Sequence, residues 1–251
     1  IALGRNARVD DTAGDGIAIG ADAQAGGPAS GGGNTLALGS RAVATGRDAT
    51  AIGGQSSATG DDSLAIGNQG LVLGGRATQA AGEGATALGV GTRAGQNYTT
   101  AVGAGAEAGG RGAGGTAVGA FAIAAGNYAV AIGGGTDLWT SAHVYSNRTV
   151  AIGSHIDLQP GTDNSVVIGD SASANVAAAT ALGNATSVTK AGGVALGSGS
   201  AATTDLGVPG YNPLGATPAG ATWNSTLAAV SVGGAGNTRQ ITNLAAGAAE
   251  H

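Results

Sequence analysis

The stretch Ser40-Arg41-Ala42-Val43-Ala44-Thr45-Gly46, followed by Arg47-Asp48-Ala49-Thr50-Ala51-Ile52-Gly53, decides the architecture of this chain. Each half closes on a glycine, which supplies turn conformations that side chains resist. Counted from the preceding glycine, the third and fifth residues of the first half are small (Ala42, Ala44), and the second and fourth vary (Arg41, Val43). That alternation of period two predicts a short strand with its small side inward. In the second half Ala51 lies between Thr50 and Ile52, so apolar surface falls on both faces.

Outward from this stretch the pattern repeats. Ser56 and Ala58 alternate with Gln55 and Ser57, Ala122 and Ala124 with Phe121 and Ile123, and Ala172 and Ala174 with Ser171 and Ser173. The second half recurs as Ile17-Ala18-Ile19-Gly20, Leu64-Ala65-Ile66-Gly67, Thr100-Ala101-Val102-Gly103, Val130-Ala131-Ile132-Gly133 and Val194-Ala195-Leu196-Gly197. Glycine spacings of 14 separate 39 from 53, 53 from 67, 89 from 103, 119 from 133, 169 from 183 and 183 from 197. Fixed periods of this kind mark repeat architectures. Two short strands and two tight turns fill one such coil, and stacked coils form a thin parallel β-solenoid rising about 4.8 Å per coil. The second strand then buries one face inside the coil and leaves an apolar stripe bare. Soluble monomers avoid patches of that extent, so association along the full length is expected, with stability nearly one-dimensional along the stack.

Composition agrees. Of 251 residues 51 are glycine and only seven are aromatic, with no cysteine or methionine, so a thick core cannot form. Glycine does not recur every third residue, which excludes collagen. A hydrophobic share of 42% with 10% charged residues argues against disorder. The net charge of −5 and the single lysine, Lys190, speak against a nucleic-acid partner. No stretch has the length of a membrane-spanning helix, and the opening Ile1-Ala2-Leu3-Gly4 reads as the middle of a pattern.

Asn164-Ser165-Val166-Val167-Ile168-Gly169, with the Ser-x-Ala-x-Gly-like halves between such cores, resembles the head repeats of YadA-like trimeric autotransporter adhesins. The resemblance covers residues 1–197. Arg239-Gln240-Ile241-Thr242-Asn243-Leu244-Ala245-Ala246-Gly247 resembles the opening of the neck that joins such heads to a stalk, and Val230-Ser231-Val232-Gly233 a last strand before it. The resemblance implies an all-β, left-handed parallel β-roll assembled as a homotrimer. It also implies display on the outer membrane of a Gram-negative bacterium, anchored through a C-terminal region, and adhesion to host extracellular matrix proteins or cell-surface receptors. The domains read as a head over 1–197, an insert over 198–229, the final strand and start of the neck over 230–247, and a tag remnant over 248–251.

Several spacings depart from 14. The interval from Gly20 to Gly39 holds a glycine-rich loop over 26–33, and that from Gly133 to Gly153 holds Trp139, His143 and Tyr145. Pro160-Gly161 marks a turn, and Leu71-Val72-Leu73-Gly74 reads as an extra strand after a half-period. The region 198–229 carries Pro209, Pro213, Pro218, Tyr211 and Trp223.

No catalytic constellation, metal cluster or cofactor motif is present in the sequence. His143 reads as a surface histidine, and the sequon matches at Asn97, Asn147, Asn184 and Asn224 as coincidence. Arg8, Asp22, Arg41, Gln55, Arg76, Arg93, Glu107 and Phe121 read as one outward ladder, either a docking face or a solvated one. Candidate ligand contacts are Arg41, Arg76, Arg93, Phe121, Trp139 and Tyr145, and candidate neck residues are Arg239, Gln240, Ile241, Thr242 and Asn243. The insert over 134–149 is expected to fold over Phe121; left uncovered, Phe121 and Ile123 become the first candidates for ligand contact. An adhesive head without catalysis is the leading function. A passive spacer displaying a tip elsewhere is the alternative, and an ice-binding solenoid fits poorly because most repeat threonines precede alanine in the strand that reads as buried.

Overall fold

In the computed structural model of the chain, Ala42, Ala44, Ala49 and Ala51 are fully buried, Arg41 is exposed, and Val43, Thr50 and Ile52 are half-buried. The alternation therefore holds, and alanine faces inward in both halves. The structure describes residues 1–10, 14–27, 33–70, 74–210, 224–243 and 245. Regular structure among them consists of strands of two or three residues, without a helix. The second-half strands, from Ala2–Leu3 to Val230–Ser231, form one fourteen-stranded parallel sheet. The first-half strands form a ten-stranded sheet from Arg8–Val9 to Ile156–Leu158, then a three-stranded one of Ser173–Ala174, Ser187–Val188 and Ala201–Ala202. Equivalent positions stack, as in Thr50↔Leu64, Ala51↔Ala65 and Ile52↔Ile66. The result is a parallel β-solenoid of about 14 turns.

So flat a coil leaves room for little beyond a methyl group from each inward position, which is why the core is a column of alanines. Among the described residues, with Val188 as a further single enlargement nearer the C-terminal end, it thickens most where Val144, Ile156, Leu158 and Val167 are buried. There the first-half strands lengthen to three residues, Ala142–Val144 and Ile156–Leu158.

Most regular turns place their third residue in the left-handed region: Arg41 (φ 57°), Gln55 (φ 61°) and Phe121 (φ 61°) at the first turn, Asp48 (φ 53°) and Tyr98 (φ 58°) at the second. The coil-closing glycines have another reason. Gly39 (φ 139°) packs so closely on the next coil that a Cβ would sit 2.5 Å from the Gly53 carbonyl oxygen. At the second turn an Asp or Asn side chain caps the coil before it. The Arg47 N–H donates to Asp61 Oδ1 (2.9 Å), Glu83 N–H to Asn97 Oδ1 (3.1 Å), Asn127 N–H to Asn147 Oδ1 (3.0 Å) and Asn147 N–H to Asp163 Oδ1 (2.8 Å). The sequons at Asn97 and Asn147 have this local cause. Asparagine caps the neighbouring coil, and the hydroxyl two residues on, Thr99 or Thr149, is buried and bonds a nearby carbonyl.

The irregular spacings are loops at turns, and the register passes through them. Leu64–Ile66 pairs directly with Thr86–Leu88, and Ser57–Ala58 with Gln79–Ala80. Residues 68–70 and 74–77 are thus looped out of the first turn, tied by an antiparallel bridge between Gly70 and Arg76. The half-period is no half-step of the coil. The strand expected at Leu71–Leu73 lies outside the described residues, as do residues 28–32, Tyr211, Pro213, Pro218, Trp223 and residues 246–251. Coil pairing continues past Gly197 through Ala201–Ala202, and the second strand of that last coil, Val230–Ser231, returns to pair with Val194–Ala195.

The single ladder read from Arg8 to Phe121 is a mixture of two. Arg8, Arg93 and Glu107 occupy the strand rank, which runs Arg8, Gln24, Val43, Ser57, Gln79, Arg93, Glu107, Ile123, His143, Asp157. Asp22, Arg41, Gln55 and Phe121 belong to the left-handed turn rank, and Arg76 to the looped-out segment. A strand side chain and a turn side chain two residues apart leave the coil from different edges. The repeat threonines Thr50, Thr86 and Thr100 are half-buried on the outer face, not buried within the coil. Leu64 and Val130 interrupt their rank.

Candidate functional site

Where the core thickens, the outer face changes character as well. Between Gly133 and Ala142 the first turn carries six residues more than the same turn between Gly119 and Ala122. Hydrogen bonds make the added loop rigid. Asp137 Oδ1 accepts from the Trp139 N–H (2.9 Å), the Thr140 N–H (3.0 Å) and the Thr140 hydroxyl (3.0 Å), and the Thr136 N–H donates to Thr140 Oγ1 (2.9 Å). These donors, the Thr140 hydroxyl foremost, hold the Asp137 carboxyl below its ordinary pKa. Ser141 ties the loop to the coil beneath through its hydroxyl, which donates to the Phe121 carbonyl (2.9 Å).

This network turns Leu138 and Trp139 outward, 51% and 88% exposed. The expectation that the insert covers Phe121 is corrected accordingly. The loop stands beside a half-buried Phe121, and Trp139 projects because the turn about Asp137 fixes its backbone. The insert is also shorter than 134–149, since Ala142–Val144 is a strand of the roll.

Two clefts flank the projecting pair. One, of about 480 Å³, lies between Arg76, Gly105 and Phe121 on one side and residues 136–139 on the other. The other, of about 300 Å³, lies between Leu138, Trp139 and the rank Ile123, His143 and Asp157, with Tyr145, Ser141 and Gln159 at its edges. The His143 and Tyr145 rings meet edge to face with centroids 6.2 Å apart. The Arg111 guanidinium lies 6.0 Å from the Tyr145 centroid.

His143 is half-buried, with Nε2 3.0 Å from Ser141 Oγ. The Ser141 hydroxyl lies within hydrogen-bond reach of both the Phe121 carbonyl and Nε2, and Nδ1 faces away from this pair. Burial lowers the His143 pKa below 6.5, against the pull of Asp157. Burial, then Asp157 and Glu107, raise that of Tyr145.

Of the residues singled out from sequence, Arg76, Phe121 and Trp139 meet at one cleft, and Trp139 and Tyr145 at the other. Arg93 reaches neither. It adjoins Glu107 in register at 3.9 Å, while Arg76 pairs with Glu107 at 2.8 Å and ties its loop to the roll. Arg41 is exposed at a distant turn. Leu138, His143 and Asp157 were missed as contacts; the length of the interval between Gly133 and Gly153 signalled the first two, and Asp157 joins them only through its register with His143. Arg239 bonds the last coil through Ser200 Oγ (2.8 Å) and the carbonyls of Val232 and Ser198. Gln240, Ile241, Thr242 and Asn243 are exposed. Among the described residues no group of acidic, histidine or cysteine side chains could hold a metal, and no helix is long and apolar enough to cross a membrane.

Fold and surface together define a thin parallel β-solenoid that carries one elaborated level and an aliphatic outer stripe. A family model described as the YadA head domain repeat (2 copies) matches residues 30–56, 44–69, 80–106 and 111–136. These stretches match a repeat that is the hallmark of the heads of trimeric autotransporter adhesins, a family of adhesin domains and not of enzymes. None of the curated proteins compared matches the chain.

Proposed function

We propose that this chain is the adhesive head of a trimeric autotransporter, displayed outside the outer membrane of a Gram-negative bacterium, and that it binds host matrix or cell-surface molecules without catalysis. One observation carries the reading: stretches matching the YadA head repeat lie on a solenoid whose outer second-strand rank is aliphatic in coil after coil. That rank includes Ile19, Leu38, Ile52, Ile66, Leu88 and Val102. Leu38 and Leu88 are 39% and 43% exposed in the single chain. A homotrimer closed on this stripe covers it and leaves the first-strand face free. In this reading residues 230–247 are the last strand and the start of the neck, with Arg239 as the bolt between neck and roll.

A passive spacer is the second reading, favoured by the coils between Gly39 and Gly67, whose turns carry no inserted residues. Solid-phase binding to immobilised matrix proteins and to host cells separates the two. The head binds at least one of them saturably, and a spacer binds none.

A further inference from the structure

The cleft beside Trp139 differs from the rest of the surface in its chemistry as well as its shape. Its walls are aromatic, yet it holds polar atoms without partners among the described residues: the Trp139 indole N–H, the Tyr145 hydroxyl and His143 Nδ1. The Asp157 carboxylate adds acceptor capacity. Gln159 Nε2 donates to both of its oxygens (2.7 and 2.8 Å), and a carboxylate has about four lone-pair sites. We infer that this cleft, between the loop tip at Trp139 and the strand rank ending at Asp157, binds a neutral saccharide. The inference deepens the adhesin reading and rests on it.

The fit is chemical. A sugar ring presents an apolar face of C–H groups to an aromatic ring and hydroxyls around its rim. Trp139 and Tyr145 offer the faces. Asp157 accepts from a pair of adjacent hydroxyls, the indole N–H donates, and the Tyr145 hydroxyl does either. At about 300 Å³ the space is at the small end for ligand sites and suits one or two rings.

Charge and topology exclude the other common occupants. Asp157 faces the cleft with no ion-pair partner among the described residues, and Arg111, beside the Tyr145 ring, does not line it, so the charge an acidic sugar meets in the cleft is that of Asp157. An extended peptide added to a sheet edge needs free backbone donors and acceptors. Here the Ala142–Val144 strand is paired on both sides, with Ile123–Ala124 and with Ile156–Leu158, so no edge is open. The loop is also preorganised, because Asp137 and Thr140 hold Trp139 out before any ligand arrives, which lowers the entropic cost of binding.

The test is binding of the intact protein to an array of neutral, sialylated and sulfated oligosaccharides, with Trp139→Ala and Asp157→Asn alongside. The expected result is retention of neutral glycans, a loss of at least about tenfold in each variant, and unchanged melting and oligomeric state, since both side chains are exposed. Binding confined to acidic glycans, equal binding by the variants, or no glycan binding overturns the inference. Matrix-protein binding measured in parallel keeps the two readings apart. If it persists in Trp139→Ala while the array is blank, the adhesin reading stands and the saccharide site falls; if both are blank, both fall.

Discussion

Ala44 and Ala58 are fully buried neighbours in register, at positions where the coil admits a methyl group and nothing larger. Placing leucine at either overpacks the core at a cost of about 1–3 kcal/mol. Ser57→Leu, whose side chain leaves the opposite face, shifts the melting midpoint far less. Equal shifts in thermal melts would refute the assignment of faces. Backbone conformation gives a change of the opposite sign. Ala178 has φ 57°, a region that costs an L-residue about 1–2 kcal/mol and glycine almost nothing. Glycine also loses more entropy on folding, so the net gain for Ala178→Gly is about 0.5–1 kcal/mol. At Gly39 the reverse substitution fails twice, through its φ of 139° and the 2.5 Å approach to the next coil, and Gly39→Ala is expected to melt well below the parent. His143 adds a pH dependence. Its folded pKa lies below the unfolded value of about 6.5 because burial disfavours the charged ring. As pH falls through 6.5 the unfolded chain takes up this proton first, so stability declines from there down to the folded pKa. Melts at pH 7.5 and pH 5.5 should therefore differ less in His143→Gln than in the parent.

Elements this short have no stability of their own; each strand exists because the coils before and after pair with it. That is why the strand pairs were legible in sequence. Alternation of Ala42, Val43 and Ala44 fixes the first strand, Thr50, Ala51 and Ile52 the second, and Gly46 and Gly53 the ends. The loops were not legible in the same way. Counting from glycine gives the spacing but not which turn takes up extra residues. Gly67 to Gly74 therefore read as half a coil, where the pairing shows a loop leaving the first turn. The same count merged Arg41 with Arg93, since second and fourth positions are both outward and only the backbone tells turn from strand. At the candidate site Trp139 and Tyr145 stood out by type, whereas His143 and Asp157 become neighbours only once Ile123, His143 and Asp157 stack in register. The capping rank at the second turn gives a test at this scale. Asn147 accepts from the Asn127 N–H and passes its own to Asp163, so it links three coils. Asn147→Ala removes the acceptor and should cost about 1 kcal/mol. Asn147→Asp combined with Asp163→Asn, which keeps the acceptor without opposing two carboxylates where Asn147 Nδ2 now donates to Asp163 Oδ2 (3.4 Å), should restore most of it; no rescue would mean that the bond is incidental.

Seen as a whole, the chain has one inner core and one outer stripe, and the stripe decides whether it exists alone. A fully buried Leu or Ile contributes about 1.5–3 kcal/mol, so covering the remaining third or so of one contributes about 0.5–1 kcal/mol. Over about a dozen coils that is on the order of 10 kcal/mol per chain, comparable to the roughly 4–15 kcal/mol that association costs in lost freedom. The stripe is therefore sufficient for assembly with little surplus, and a few charges on it should be decisive. Leu88 and Ile132 lie on it, 43% and 37% exposed, with their side chains directed away from the alanine column. Aspartate at both positions faces water in a single chain and leaves the inner core intact. In a closed trimer six carboxylates would be brought out of water against apolar neighbours. Light scattering of the parent should give three times the 23.2 kDa chain mass, and that of the Leu88→Asp, Ile132→Asp variant a mass near 23.2 kDa. Circular dichroism should keep its β signature in both. A variant that remains trimeric places the interface on another face, and a parent that is monomeric at micromolar concentration removes the stripe as the basis of assembly.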